Sequence, residues 1–263
     1  LVRLGSLYAR RGLAERVERA YQRALDLDHR LIVAQRGLAH LYRAQGKTDQ
    51  AVAAYQRLIE LDPHQAQWYT ELRDLYLEQD RPEAARALYE RAVKRYPREE
   101  RFHQELGELY LNQAKGQSEK SNREWIDAAV ATLERAHALN TRHPDIQALL
   151  SKAYQVQGET PKAAHMLETT TKRYPHLSWP HRLLGRLHEN QGNDQAAIAG
   201  YQSAIDRSDP TLAAPYLALA DMYERQGSRA KAAELYHQAL KRNPDETLNH
   251  LENTYPDLFT RTG

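Results

Sequence analysis

The chain has 263 residues, of which 41% are hydrophobic and 27% charged, and it contains no cysteine, which excludes disulfides and cysteine-ligated zinc. A mean hydropathy of −0.81 and the lack of a long apolar run exclude a membrane span, which needs about 20 apolar residues. Thirty-seven Lys and Arg against 35 Asp and Glu give a formal charge of +2, so no strong positive field favours nucleic acid or anionic lipid.

Tyrosine is unusually frequent and recurs with a fixed period. There are 16 Tyr against 2 Phe and 3 Trp. Tyr8 and Tyr42 open one series with a spacing of 34 residues, and Tyr21 and Tyr55 open a second with the same spacing. Leu, Gly, Ala and Pro recur in phase with them. The pattern predicts seven units, at 1–31, 32–65, 66–99, 100–143, 144–177, 178–212 and 213–246, followed by a tail at 247–263.

The first unit lacks its opening three positions. The chain begins with Leu1, inside a helical pattern, and we therefore expect it to be part of a longer protein. The shortened unit would leave a helix face open, so self-association into a homo-oligomer remains an open alternative.

Each unit is predicted to form two helices joined by a tight turn. Apolar residues recur every three or four positions, as in an amphipathic helix. A glycine that can adopt a left-handed conformation follows the first helix, as at Gly46 and Gly158. Asp80 and Thr160 are predicted caps of the second helix, and Pro63 closes a unit.

Small residues at one place in the second helix predict close packing between helices. Alanine fills this place in units two to seven, at Ala51, Ala85, Ala129, Ala163, Ala197 and Ala232. One helix pair is too small to bury its own apolar face, so stacked pairs must share a continuous core. The predicted fold is therefore all-α, a solenoid of antiparallel helix pairs in a single domain over 1–246.

The fourth unit carries a ten-residue insert at 115–124 between its two predicted helices. The insert is polar, which favours a solvated loop or an extension of a helix; a loop that binds a partner is the alternative. Ser121 and Glu124 have the spacing of a capping box. Trp125 is expected to pack against the end of the preceding helix, 100–114.

The tail at 247–263 lacks the repeat pattern. It is predicted to cover the last apolar face of the stack, with Tyr255, Leu258 and Phe259 docking there. The alternative is a segment that binds elsewhere.

The repeated phrase resembles the tetratricopeptide repeat, whose pattern places Leu, Gly and Tyr in the first helix and Ala, aromatic, Ala and Pro in the second. Leu106, Gly107 and Tyr110 show the first half. The second half comprises Ala85, Tyr89, Ala92 and Pro97. The resemblance covers 1–246 and implies a right-handed superhelix whose first helices line a concave groove that holds a peptide.

The resemblance also implies which residues face the groove, mainly the second, fifth, ninth and twelfth or thirteenth of each unit. These candidate partner-binding residues are Arg36, His40, Arg43, Thr70, Asp74, Glu78, Arg101, Gln104, Glu108, Asn112, Lys152, Gln155, Arg182, Arg186, Asn190 and Asp221.

Their charges alternate along the chain. Arg36 with Arg43, and Arg182 with Arg186, form two basic stations. Between them lies an acidic stretch of Asp74, Glu78, Glu105 and Glu108. A partner with the opposite pattern would be steered into register by this field. Chaperone-binding members of the family need donors where Asp74 and Glu105 stand, which argues against that specialisation.

No motif for catalysis or cofactor binding is complete. Gly46-Lys47-Thr48 ends like a phosphate-binding loop, but Leu41 stands where the first glycine belongs. His188-Glu189 begins like a zinc-protease motif, but Gly192 replaces the second histidine. We therefore expect no enzyme activity, no cofactor and no metal within these residues.

The sequence favours a non-catalytic scaffold that binds a protein or peptide in its groove for complex assembly. The alternative is the interaction domain of a larger enzyme, such as a transferase or protease, whose catalytic part lies outside this chain. Nucleic-acid binding is disfavoured by the acidic stretch. We expect a soluble protein without membrane insertion, and the sequence leaves the compartment open between cytoplasm and periplasm.

Overall fold

The computed structural model describes residues 1–114, 119–208 and 211–256, with the backbone alone at 119–121. All regular structure in these ranges is α-helical, as predicted. The chain forms two compact units, one over Leu1–Asn140 and one from Thr141 onward. From here on, 'first unit' and 'second unit' mean these two, and the seven predicted sequence units are called repeats. The continuity of one solenoid over 1–246 stays a prediction.

The first unit contains eight described helices. They are α1 (Val2–Arg10), α2 (Ala14–Leu27), α3 (Ile32–Ala44), α4 (Thr48–Leu61), α5 (Ala66–Glu78), α6 (Pro82–Arg95), α7 (Glu100–Gln113) and α8 (Glu119–Leu139). Each helix packs against the next one along the chain. Short connections between packed neighbours produce antiparallel helix pairs, as the sequence predicts.

The second unit repeats the arrangement with seven described helices. They are α9 (Pro144–Gln157), α10 (Thr160–Arg173), α11 (Ser178–Asn190), α12 (Asp194–Ile205), α13 (Ala214–Arg225), α14 (Arg229–Arg242) and α15 (Pro244–Thr254). Here too each helix packs on its successor.

The turns within the pairs depend on left-handed residues. Gly158 ends α9 with a φ of 91°, and Gly12, Gly46, Gly192 and Gly227 also have positive φ, as predicted. Asp80 occupies the corresponding place after α5, with a φ of 55°. Aspartate tolerates this conformation better than most side chains. Asp80 is therefore the turn residue, and its prediction as a helix cap is wrong.

The prediction of Thr160 as a helix cap is also wrong. Thr160 is the first residue of α10, and Glu159 precedes it without a capping side-chain bond. Side-chain caps are found instead at Asn193 and Asn243, whose Oδ1 atoms accept from Ala196 N and Glu246 N. Most of the other described helices begin without a capping side-chain bond, first and second helices alike.

The insert of the fourth repeat is helical where the structure describes it. Helix α8 begins at Glu119 and has 21 residues, so 119–124 extend the second helix of the pair, one of the two forms expected for a non-binding insert. The capping box at Ser121 and Glu124 is wrong, because both residues lie inside α8. Residues 115–118 lie outside the described ranges.

Trp125 packs as predicted. Its ring stacks on that of Tyr110 at the end of α7, with centroids 5.7 Å apart, and the Arg86 guanidinium lies 4.6 Å from its centroid.

The tail residue Tyr255 docks on the preceding helix pair. Its ring lies edge-on to Tyr236 of α14, with centroids 6.2 Å apart, and Thr247 of α15 is fully buried. Leu258 and Phe259 lie outside the described residues.

The repeated alanines are fully buried in both cores. Ala51, Ala85 and Ala129 in the first unit, and Ala163, Ala197 and Ala232 in the second, have no exposed surface. A larger side chain at these places has no space, because the neighbouring helices already contact the methyl group.

We expect Ala85→Leu to lower the free energy of unfolding by about 1–3 kcal/mol through overpacking. Denaturant unfolding of the whole chain measures this. Ala44→Leu is the matched control, since Ala44 is exposed on α3 and should tolerate the same change. Equal stability of the two variants would contradict the packing.

A buried histidine makes the first unit sensitive to acid. His103 of α7 is buried, with its Nε2 atom 3.1 Å from the carbonyl oxygen of Pro97. Burial lowers the pKa of His103. The folded chain therefore holds a neutral ring, and the unfolded chain takes up the extra proton below about pH 6.5, so acid favours unfolding.

We expect wild-type stability to fall more steeply than that of His103→Gln between about pH 7.5 and about pH 5.5. Glutamine is a suitable replacement, because Gln147 at the matching place of α9 donates to Thr141 O at 3.1 Å. Thermal melting across this range measures the difference, and parallel pH profiles would refute the role of His103.

Candidate functional site

The candidate residues lie on the first helix of each pair. We call the surface of α3, α5 and α7 the first-helix face of one unit, and the surface of α9, α11 and α13 the first-helix face of the other. All sixteen predicted residues are exposed or half-buried, and none belongs to the buried core. They are thus accessible to a partner.

Ion pairs join successive first helices in the first unit. His40 Nε2 lies 3.0 Å from Glu71 Oε2, and Arg43 pairs with Glu78, which connects α3 to α5. Arg73 of α5 pairs with Glu105 of α7 and, at 2.8 Å, with Asp74. The structure therefore brings residues of different repeats together as rungs of a charge ladder.

Burial changes the pKa values of the Arg73 and Glu105 pair. Burial raises the pKa of Glu105, although the Arg73 charge lowers it. The charge of the neighbouring Glu108 adds to the upward shift. Burial would lower the pKa of Arg73, but the Glu105 and Asp74 charges raise it. The half-buried Glu105 carboxylate is thus held in place by Arg73.

This ladder changes the predicted charge pattern. Arg43 is not a free basic station, because Glu78 neutralises it. The acidic stretch is likewise largely paired, since Arg43 and Arg73 contact three of its four carboxylates. The ladder residues Glu71 and Arg73 were absent from the predicted set. The 34-residue spacing of Glu71 and Glu105 is the sequence signal that could have identified the first of them.

The second unit differs, because its arginine pair on α11 has no acidic side chain of the described residues within ion-pair distance. Arg182 is half-buried and Arg186 is exposed, and neither forms an ion pair with a described residue. Burial, together with the Arg186 charge, lowers the pKa of Arg182. The Glu246 charge opposes this shift, but neither guanidinium has a described carboxylate at ion-pair distance, so the two form a positive site.

The nearby carboxylates are occupied by other groups. Glu189 accepts from Tyr201 and pairs with Arg225. Asp221 Oδ1 accepts from the Tyr236 hydroxyl at 2.6 Å and lies 3.1 Å from His250 Nε2 of α15. Asp221, a predicted partner-binding residue, is thus engaged within the fold.

The two tyrosine series direct their hydroxyls to different helices. Tyr201 and Tyr236 hold the place of the second series in the sixth and seventh repeats, and they bond to acids on first helices. In the first series the hydroxyls contact the second helix of the preceding pair. The three hydrogen bonds are Tyr42 with Gln22 at 3.2 Å, Tyr76 with Gln56 at 3.3 Å and Tyr110 with Glu90 at 3.1 Å. Tyrosine therefore supplies core bulk and a polar contact at once.

Metal binding and membrane spanning have no support among the described residues. No group of three or more His, Asp or Glu there is placed to hold a metal ion. Within the same ranges, no helix is both long and apolar enough to cross a membrane.

Comparison with known proteins establishes the class. Tetratricopeptide repeat family models match residues 42–109, 126–187 and 213–252, which is well over half of the chain. The chain belongs to the tetratricopeptide repeat family, whose members generally serve as non-catalytic scaffolds for protein interaction. A search of curated proteins finds no significant relative.

Solved structures share the fold at low sequence identity. A tetratricopeptide repeat protein from Parabacteroides merdae is 16% identical with a TM-score of 0.62, and the match covers 94% of each chain. The C-terminal part of a repeat protein from Cytophaga hutchinsonii is 15% identical with a TM-score of 0.61, covering 95% of this chain and 99% of that one. PilF of Pseudomonas aeruginosa is 17% identical with a TM-score of 0.58, covering 86% and 92%.

We expect Tyr236→Phe to destabilise the second unit by at least about 1.5 kcal/mol, because it removes a hydrogen bond to the charged Asp221 and a contact with the Tyr255 hydroxyl. Tyr223→Phe is the matched control, since the Tyr223 hydroxyl has no hydrogen-bond partner among the described residues and its loss should change little. Thermal and denaturant unfolding measure both variants. An equal loss in the two would contradict the role of the Asp221 bond.

Proposed function

We propose that this chain is a non-catalytic scaffold that assembles a complex by binding a peptide segment of a partner protein on its first-helix face. The family supports a protein-interaction role in general. The accessible position of all sixteen candidate residues supports the choice of this face.

The observation that carries the proposal is the unpaired arginine pair of α11. Arg182 and Arg186 lie one helical turn apart, and no described carboxylate lies within ion-pair distance of either, although the Glu246 charge acts on Arg182 from farther away. The acids that could have done so are Glu189 and Asp221, and both are already bonded. A half-buried guanidinium without a carboxylate in contact is costly, and an acidic partner segment would relieve that cost.

An acidic segment would also be oriented by the neighbouring groups. Lys152 and Gln155 on α9 and Asn190 on α11 belong to the same face and add donors beside the arginine pair. The Nε2 atom of Gln155 is buried and has no hydrogen-bond partner. Such an arrangement selects partners by charge and increases the association rate more than the affinity.

We expect the double reversal Arg182→Glu with Arg186→Glu to weaken partner binding by at least about tenfold, because each change replaces an attraction by a repulsion. Affinity capture from cells of the source organism identifies the partner. Titration of the purified partner against wild type and variant by calorimetry then measures the loss, which should shrink as salt increases.

The matched control is Lys172→Glu with Lys241→Glu. Both lysines are exposed on second helices of the same unit, so this variant carries the same change in net charge away from the first-helix face. Equal affinity of wild type and both variants would reject the arginine pair as the binding site. An equal loss in the two variants would assign the effect to net charge alone.

A further inference from the structure

The first unit contains a cavity of about 330 Å³ between the second helices α4 and α6, with Tyr69 of α5 in its lining. This volume lies near the lower end of the range of about 300–1,000 Å³ that is usual for ligand sites. None of the sixteen candidate partner-binding residues lines the cavity. It is therefore separate from the first-helix face.

Tyr69 brings an unsatisfied hydroxyl to this cavity. The residue is only 3% exposed, and its hydroxyl forms no hydrogen bond with another described residue. At the same place of the next two repeats the polar atom is satisfied, since His103 and Gln147 each contact a backbone carbonyl oxygen at 3.1 Å. A buried hydroxyl without a partner is costly, and an acceptor atom of a ligand would remove that cost.

The Tyr69 hydroxyl is available as a donor. Burial raises the pKa of Tyr69 to about 12, and the nearby Tyr96 acts in the same direction. The Arg95 charge acts on the hydroxyl in the opposite direction, which places that guanidinium in its neighbourhood. The hydroxyl is therefore protonated at neutral pH and can donate to an anion beside Arg95.

Two arginines of α6 complete a set of donors. Arg91 and Arg95 line the cavity, are exposed and lie one helical turn apart. Neither forms an ion pair with another residue in the described part of the chain. Glu60, whose carboxylate also belongs to the lining, is paired with Arg57 at 2.8 Å. The cavity therefore presents two guanidiniums and one phenol to a ligand, with a positive net charge.

The matching place of the second unit is closed by the fold itself. Tyr216 holds the place of Tyr69 there, and its ring centroid lies 3.9 Å from the guanidinium of Arg242. Arg95 is the counterpart of Arg242 in the first unit, but it lies over the neighbouring Tyr96 ring, 5.7 Å from its centroid. The space beside Tyr69 is thus left open to a ligand.

We propose that the cavity between α4 and α6 binds a phosphate monoester carried on a small apolar group. The phosphate accepts from the Tyr69 hydroxyl and pairs with Arg91 and Arg95. The apolar group packs on Ile59 and on the Tyr96 ring, which also line the cavity. This site is independent of the function proposed for the first-helix face.

The donor set matches the chemistry of a phosphate monoester. Such a group carries a charge of about −1.5 to −2 at neutral pH and has three strong acceptor oxygens. Two guanidiniums can balance this charge, and the phenol supplies a third direction of hydrogen bonding. A free metabolite ester and a phosphorylated side chain of a protein offer the same group.

Calorimetric titration of the whole chain with phenyl phosphate tests the site. We expect phenyl phosphate to bind at least about tenfold more tightly than benzoate, which carries a single charge, and more tightly than inorganic phosphate, which lacks the apolar group. Benzyl alcohol, which is neutral, should show no saturable binding.

A Gly-Ser octapeptide with a central phosphotyrosine then distinguishes the two sources of the group. Binding at least as tight as that of phenyl phosphate would support a phosphorylated side chain as the ligand. Binding of phenyl phosphate without binding of the peptide would support a free ester.

Tyr69→Phe should weaken phenyl phosphate binding by about tenfold, because it removes one hydrogen bond to a charged group. It should not lower the melting temperature, because the hydroxyl has no partner within the fold. Tyr216→Phe is the matched control at the same place of the second unit, and it should leave binding unchanged.

Arg91→Gln with Arg95→Gln should abolish detectable binding of phenyl phosphate. The matched control is Arg19→Gln with Arg23→Gln, since these arginines are exposed on another second helix, α2, with the same spacing and outside the cavity. Circular dichroism confirms that each variant keeps its helices.

The inference is overturned if phenyl phosphate binds no more tightly than benzoate, or if its binding survives both Tyr69→Phe and the double change on α6. An equal loss in the α2 and α6 variants would assign the binding to surface charge alone and would also overturn it.

Discussion

The contact on which the rest of this structure depends is the meeting of successive helices at a buried alanine. Ala85 and its counterparts have no exposed surface, so the backbones approach as closely as a methyl group allows. A helix pair cannot bury its apolar face alone, and each pair must therefore pack against the next. Repetition of this contact within each unit places residues that are 34 positions apart in sequence on neighbouring first helices.

The charge ladder is a direct consequence of that placement. Once α3, α5 and α7 lie side by side, a glutamate at one repeated place meets a basic residue of the preceding repeat, as Glu71 meets His40 and Glu105 meets Arg73. Each pair is modest in itself, because exposed ion pairs contribute at most about 1 kcal/mol. Their larger effect is on recognition. Paired charges such as Arg43 and Glu78 are less available to a ligand, and the arginines that remain free mark where an anionic partner can bind.

The excess of tyrosine over phenylalanine has the same origin. A core two helices thick places every large side chain near a surface, so a buried ring ends close to polar groups. Tyr42 and Tyr236 use that position to bond to Gln22 and Asp221, respectively. Phenylalanine would fill the space equally well but would remove these hydrogen bonds. The tyrosines therefore belong to the fold, and the hydroxyl of Tyr236 also fixes an acid of the first-helix face.

The sequence by itself determined the helices, the turns at Gly46 and Gly158 and the buried alanines, because these follow from local periodicity and from residue size. It also indicated which residues are accessible. The tertiary structure decided which charges remain free. Asp221 was predicted to bind a partner, yet it is bonded to Tyr236 and His250 from two other helices. Pairing is a property of side chains that meet only after the helices pack, whereas exposure is already fixed by the pattern along each helix.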